Sequence, residues 1–282
     1  INKVGKSQNI RKNLWRKRMI KLIASDMDGT LLNSRGELDN EIYGIIKRLK
    51  ELGIIFTAAS GRQLESLKKR FVPVDNDIIY LAENGTYVVY KGEEIYSNVM
   101  NRNIVEELVD KIKNIGDCAC FLCGKKRAYC ENDELIEFMR QPIFGYDIVK
   151  INDISKIDDD ILKVSLFDSV DPRERSYKIL EPEYRGRMYL ATSGYNCLDI
   201  MNINASKGTA IKEICRKFGI DKKDTVSFGD NYNDLEMFAE TGMSYAMLNA
   251  DEYVRNKADK VIGSNDENAV IETLKGIIEE IH

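Results

Sequence analysis

Histidine is almost missing from this chain: the single one, His282, is the last of 282 residues. That scarcity excludes Ser/His/Asp and Cys/His triads, His-rich metal sites and imidazole general bases, so catalysis must rest on carboxylates, lysine or cysteine. Long apolar runs are lacking too. No stretch approaches the roughly 18 residues of a membrane span, and residues 1–18 hold no apolar segment of signal-peptide length, which predicts a soluble, cytoplasmic protein. The six cysteines then read as free thiols rather than disulfides. Cys118, Cys120, Cys123 and Cys130 crowd together without forming a clean CxxC pair; buried thiols are the simpler reading and a zinc site the alternative.

Acidic residues are missing from the first eighteen positions, which carry seven Lys/Arg and Trp15, the one tryptophan. Because Met19 opens the first strand, residues 1–18 are expected to be an extension from an upstream start, with a genuine basic arm as the alternative. The rest, 19–282, holds 35 basic against 46 acidic residues, a balance of −11 that argues against nonspecific nucleic-acid binding. No obligate protein partner is indicated.

Strand and helix signals alternate at both ends of the chain. A strand at about 20–25 is followed by a helix at 39–52, a strand at 54–59, a helix at 63–71 and a strand at 78–82. The rhythm returns with a helix at 206–218, strand 225–229, helix 232–240, strand 244–247, a helix near 251–257, strand 260–262 and helix 266–280. Such alternation predicts an α/β fold with a doubly wound parallel sheet and ligands at the carboxyl ends of its strands. Between the blocks, paired strands at 117–122 with 126–130 and 186–191 with 196–201, and helices at 102–115, 132–140 and 172–181, read as an inserted α+β domain. The expected division is a basic extension 1–18, core 19–86, insert 87–195 and core 196–282.

The densest chemistry is Asp26-Met27-Asp28-Gly29-Thr30-Leu31-Leu32, directly after the first strand. Residues two apart share a strand face, so Asp26 and Asp28 can converge once the chain bends at Gly29, one attacking while the other manages a proton. A capped turn would use the same residue types. Other strand ends add Ser60-Gly61-Arg62, Lys207 at a helix start, and Asp230-Asn231-Tyr232-Asn233-Asp234. Taken singly, Ser60 reads as a helix cap, Lys207 as a solvated first-turn residue and Asp230 with Asp234 as caps. A lysine in a first turn opposes the helix dipole, however, and points to an anion. Carboxylates, one lysine and one hydroxyl on one sheet edge, with no histidine, suit Mg²⁺-assisted phosphoryl transfer.

The chain resembles the Cof-type members of the haloacid dehalogenase-like superfamily: DMDGTLL, SGR, Lys207 and GDNYND stand as its four motifs, in order, across 19–282. Glu83-Asn84-Gly85-Thr86 and Ala246-Met247-Leu248-Asn249-Ala250 are similar to family segments at the active-site edge, and the insert sits where the family carries its larger α/β cap. The resemblance implies that Asp26 is a nucleophile forming an aspartyl-phosphate. Asp28 would be the acid that protonates the leaving oxygen and then activates water. It further implies phosphate binding by Ser60, Gly61, Arg62, Asn84, Lys207 and Asn233. Mg²⁺ would be held by Asp26, the carbonyl of Asp28 and Asp230, with Asp234 and Asn249 in support.

Ser60 stands where the family commonly has Thr, which keeps the hydroxyl, while Leu248 for a frequent Gly and Asn268-Ala269 for a usual Gly-Val do not touch the chemical groups. The implied partner is a small phosphorylated metabolite, sugar phosphates first, with flavin mononucleotide or pyridoxal phosphate also fitting. A hexose phosphomutase with the same core chemistry and a non-catalytic phospho-metabolite-binding module are the rival readings.

Overall fold

The computed structural model describes residues 19–142, 144–193 and 196–281. The basic stretch 1–18 and His282 lie outside the described residues. Two sheets organise the chain. The first begins with β1 (Leu22–Asp26), β2 (Ile55–Ala59), β3 (Ile78–Ala82), β4 (Tyr87–Tyr90) and β5 (Glu93–Ser97). The second is built from β6 (Cys118–Gly124), β7 (Ala128–Cys130), β8 (Ile148–Lys150), β9 (Ile161–Asp168), β10 (Met188–Ser193) and β11 (Cys197–Asn202). The chain then returns to the first sheet with β12 (Thr225–Gly229), β13 (Met243–Ala246) and β14 (Lys260–Val261), giving the order β14-β13-β12-β1-β2-β3-β4-β5.

Strands β14 through β3 run parallel, and β4 and β5 turn antiparallel at the edge. Both faces of its central parallel strands β12, β1, β2 and β3 are buried, as a parallel sheet requires. In β1, Ile23 packs into one apolar layer while Leu22 and Ala24 enter the other. Helices α1 (Glu41–Glu51) and α2 (Leu64–Arg70) cover the Ile23 side.

The second sheet has the order β10-β11-β9-β6-β7-β8, antiparallel except for β7 with β8. Helices α3 (Arg102–Lys113) and α5 (Ser176–Tyr184) supply the apolar layer on one face, with α4 (Asp133–Arg140) on the other. The core resumes with α6 (Lys207–Phe218), α7 (Leu235–Ala239), α8 (Glu252–Arg255) and α9 (Ala269–Ile281), which packs beside α1. No helix among the described residues is long and apolar enough to cross a membrane.

The α/β class and the doubly wound parallel core stand as expected, but strand membership moves both edges of the insert. Residues 87–97, expected in the insert, extend the core sheet as β4 and β5, and 197–202, expected in the core, pairs with β9 and β10. A hairpin signal alone does not say which sheet it joins. Strands β8 and β9 were not anticipated, although β9 lies inside the second sheet. The expected helix 232–240 divides into a 3₁₀ turn at Tyr232–Asp234 and α7, and the helix at 172–181 into Pro172–Glu174 and α5.

Candidate active site

The carboxyl ends of the parallel strands bring the sequence-predicted residues together. Asp26 ends β1, is 6% exposed, and receives a hydrogen bond from Lys207 Nζ at 2.5 Å. Ser206 caps α6 by accepting from Thr209 N–H, which fixes Lys207 in the first turn, wholly buried. The same ammonium donates to Asp234 Oδ1 at 2.6 Å. Asp234 Oδ2 accepts the backbone N–H groups of Asp230 and Asn231 at 3.0 and 3.1 Å, so both its oxygens are engaged and its role is to hold the loop after β12.

Asp230 accepts from Thr30 Oγ1 at 2.6 Å, tying the β12 loop to the β1 loop. Between them Gly29 has φ +83°, and a Cβ there would stand 2.4 Å from Asp230 Oδ2; only glycine lets these carboxylates approach. Asn249 donates to the carbonyl of Gly29 at 2.8 Å and accepts from Asn265 N–H at 3.1 Å, clamping the loop from the far side.

Asp28 points elsewhere. Its side chain is half exposed and makes a bidentate pair with Arg62, at 2.6 Å from Nη2 and 2.7 Å from Nε. Arg62, expected to bind phosphate, here orients the second carboxylate. Its backbone N–H donates to the buried Ser60 Oγ at 3.1 Å, engaging a lone pair of Ser60 and leaving the hydroxyl proton for another acceptor. Gly61 fits because a Cβ there would meet Asn84 Oδ1 at 2.8 Å. Asn84, in a left-handed conformation with φ +57°, accepts from Asn233 Nδ2 at 3.0 Å.

Electrostatics separate the groups. Burial, reinforced by Asp234, Asp230 and Asp28 against Lys207, pushes the Asp26 carboxyl well above its usual range. Burial and then Asp234 raise Asp230 to about 6. Burial by itself would lower Lys207, but Asp234 and Asp26 hold its ammonium above the ordinary lysine value. Ligand oxygens of Asp26, Asp230 and Asp234 lie within 4.8 Å of one another. One ammonium facing three such carboxylates leaves negative charge that a hard divalent cation would balance, and an all-oxygen donor set suits Mg²⁺. With both Asp234 oxygens engaged, Asp26 and Asp230 fit the ligand role best.

A family model described as haloacid dehalogenase-like hydrolase matches residues 23–274. The chain belongs to that family. The Escherichia coli protein named 5-amino-6-(5-phospho-D-ribitylamino)uracil phosphatase YbjI is 27% identical over 262 residues, 92% of this chain and 96% of its own. A Bacillus subtilis protein of the same named activity, YwtE, is 28% identical and covers 89% of this chain and 96% of its own. The crystal structure of a haloacid dehalogenase-like hydrolase from Bacteroides thetaiotaomicron is 25% identical, with TM-score 0.80, covering 92% of this chain and 99% of that one. This haloacid dehalogenase-like hydrolase is an enzyme of the phosphatase class.

Thr30 was not anticipated in a role, nor was a buried group beside the site in which Lys163 Nζ lies 2.8 Å from Glu83 Oε2 and 3.3 Å from Asp199 Oδ2. Thr30 lies inside a quoted motif, and its hydroxyl was the available signal. Lys163 and Asp199 are charges set in the apolar runs Ile161-Leu162-Lys163-Val164 and Leu198-Asp199-Ile200, a pattern that marks a buried pair. The cysteines are all free, and burial raises Cys118 to about 11 and Cys120 to about 12. Among the described residues they form no converging metal-ligand group.

Proposed function

We propose that the protein is a Mg²⁺-dependent phosphatase acting on small phosphorylated metabolites through an aspartyl-phosphate on Asp26. The observation that carries this reading is the contrast between two carboxylates two residues apart. Asp26 is buried against the Lys207 ammonium at 2.5 Å, as a nucleophile facing an anion requires, while Asp28 stands half exposed in the grip of Arg62. Asp26 attacks phosphorus as the ester P–O bond breaks, and the leaving oxygen takes a proton from Asp28, which enters this step as the neutral acid rather than as the carboxylate paired with Arg62. The resulting Asp28 carboxylate then takes a proton from water. That water attacks phosphorus, releasing inorganic phosphate and restoring Asp26.

Ser60 and Asn233 bind the phosphoryl oxygens, and Lys207 offsets the repulsion between nucleophile and phosphate. Mg²⁺, held by Asp26, the Asp28 carbonyl and Asp230, supplies further charge neutralisation when bound. Sugar and polyol phosphates are the leading substrates. The phosphoribityl group in the names of the E. coli and B. subtilis relatives supports that class. Residues 98–202 form a cap over the core edge, and the six free thiols suit a reducing cytoplasm.

A phosphate-release screen over sugar, polyol and nucleotide monophosphates with Mg²⁺ tests the reading. Turnover of at least one ester, abolished by EDTA and restored by Mg²⁺, is the expected result. Tight binding of phosphorylated compounds with no turnover overturns it in favour of a binding module, and isomerised sugar phosphate in the presence of a sugar bisphosphate favours a mutase.

A further inference from the structure

A second buried ammonium sits where the two sheets meet. Lys163, in β9 of the cap, is 1% exposed. Its Nζ lies 2.8 Å from Glu83 Oε2 and 3.3 Å from Asp199 Oδ2, and it donates to the carbonyl of Gly61 at 3.0 Å. Glu83 and Gly61 belong to the core loops after β3 and β2, whereas Asp199 belongs to β11 of the cap, beside β9. Asp199 is itself buried, accepting from Ser165 Oγ at 2.5 Å and from Asn84 Nδ2 at 2.9 Å.

Two chains of hydrogen bonds lead from this pair to the phosphate-binding groups. Lys163 donates to the carbonyl of Gly61, and the N–H of that same peptide, belonging to Arg62, donates to Ser60 Oγ. Asp199 receives Asn84 Nδ2, and Asn84 Oδ1 receives Asn233 Nδ2. The first chain occupies a lone pair of Ser60, so its proton is the one left to donate. The second fixes the amide orientation of Asn84 and thereby that of Asn233. Each bond polarises the next in a dry interior, so the cap ammonium strengthens the Arg62 N–H as a donor.

Burying a lysine and an aspartate carries a desolvation cost that an apolar contact between cap and core would avoid. The arrangement makes sense if the charges set geometry. We propose that Lys163 and Asp199 are positioning residues for phosphate: the cap orients Ser60 and Asn233 and contributes to catalysis on every ester, not only to the choice among them. This rests on the phosphatase reading given above.

The experiment compares wild type with Lys163→Met, Asp199→Asn and the double variant Lys163→Met/Glu83→Gln, which also removes the carboxylate that Lys163 faces. Hydrolysis of p-nitrophenyl phosphate and of glucose 6-phosphate is measured, with calorimetric binding of inorganic phosphate in Mg²⁺ well below each melting temperature. Second-layer positioning groups are worth roughly 10–100-fold. A loss of that size in kcat/KM, equal for the two esters and matched by weaker phosphate binding, is expected.

A loss confined to glucose 6-phosphate would make Lys163 a leaving-group contact and overturn the proposal. A lowered melting temperature with unchanged phosphate affinity would make the pair merely structural and overturn it as well. If the Lys163 variants do not fold, Asp199→Asn carries the same expectation alone. If wild type releases phosphate from nothing, the proposed function fails, while the inorganic phosphate titration still decides the positioning role.

Discussion

Among the described residues, two lysines are wholly buried between pairs of carboxylates, and their surroundings differ. Lys207 joins groups of a single sheet edge: Asp26 at the end of β1 and Asp234 after β12. Lys163 joins groups of two sheets, Glu83 from the core and Asp199 from the cap. The first has its partners at 2.5 and 2.6 Å, one of them the proposed nucleophile; the second has them at 2.8 and 3.3 Å and touches a backbone carbonyl. On the proposed reading, similar chemistry serves charge neutralisation at one site and registration of cap against core at the other.

The largest effects are expected at the Lys207 cluster. Asp26→Asn should eliminate both the phosphoenzyme and phosphate release, checked by intact-protein mass after rapid quench. Lys207→Met should cost about 10²–10³-fold in kcat. It should also destabilise the fold by about 3–5 kcal/mol, because Asp26 and Asp234 remain buried without their partner. A Lys207 variant with near-normal turnover would erase the distinction between the two lysines.

Next comes Asp28→Asn. General acid catalysis contributes roughly 10²–10⁴-fold, and that loss should fall on alkyl and sugar phosphates. Single-turnover release of p-nitrophenolate should survive better, since that leaving group needs little protonation. Equal damage to both esters in this first step would assign the acid role elsewhere.

The lysines also predict an alkaline signature. In the folded protein the charges of Asp234 and Asp26 hold Lys207 above its ordinary value against burial, and those of Asp199 and Glu83 do the same for Lys163. Stability linked to a raised lysine is fully present below the unfolded value of about 10.4 and is lost as pH rises through the folded value. Melting temperature should therefore decline above about pH 10.4, and Lys163→Met should flatten part of that decline. An unchanged slope in the variant would mean that Lys163 is neutral in the native state.

Smaller effects are expected where the cap touches the core without charge. Gln63 exchanges hydrogen bonds with the backbone of Asp147 at 3.2 and 2.8 Å. Removing them in Gln63→Ala should raise KM for bulky esters by about tenfold or less, with p-nitrophenyl phosphate little changed, because each such bond is worth about 1 kcal/mol. At the bottom of the scale, Cys118 and Cys120 should alkylate slowly at pH 8, since burial raises them to about 11 and about 12. Added zinc should leave activity unaltered by any action at these thiols.

The convergence of side chains at the strand ends was legible in the sequence because a loop after a parallel strand compresses its polar groups into a few adjacent residues. Asp26 with Asp28, and Asp230 with Asp234, advertise themselves as clusters, and the fold needs only to bring strand ends together. Lys163 and Asp199 give no such local cue. Each is a lone charge in an apolar strand, and its core partners stand elsewhere in the chain: Gly61 is 102 residues from Lys163 and Asn84 is 115 from Asp199. The insert boundaries were hidden for a related reason. Residues 87–97 form a hairpin like those of the cap, and only hydrogen bonding to β3 reveals that they extend the core.

Asp26 and Lys207 stand 181 positions apart, and β1 lies between β2 on one side and β12 on the other. As the chain is synthesised, β1 to β5 emerge as one contiguous run, while the β12-facing edge of β1 stays bare until all six cap strands have followed. A bare strand edge is a template for wrong pairing, and domains tend to fold as units as they leave the ribosome. The cap strands pair only among themselves, so the cap can complete itself in that interval. Asp26, Asp230 and Asp234 come together only when Thr225–Gly229 docks against β1. A nascent chain that stops short of this strand holds Asp26, the proposed nucleophile, without Asp230 or Asp234, and is expected to be silent toward phosphate esters.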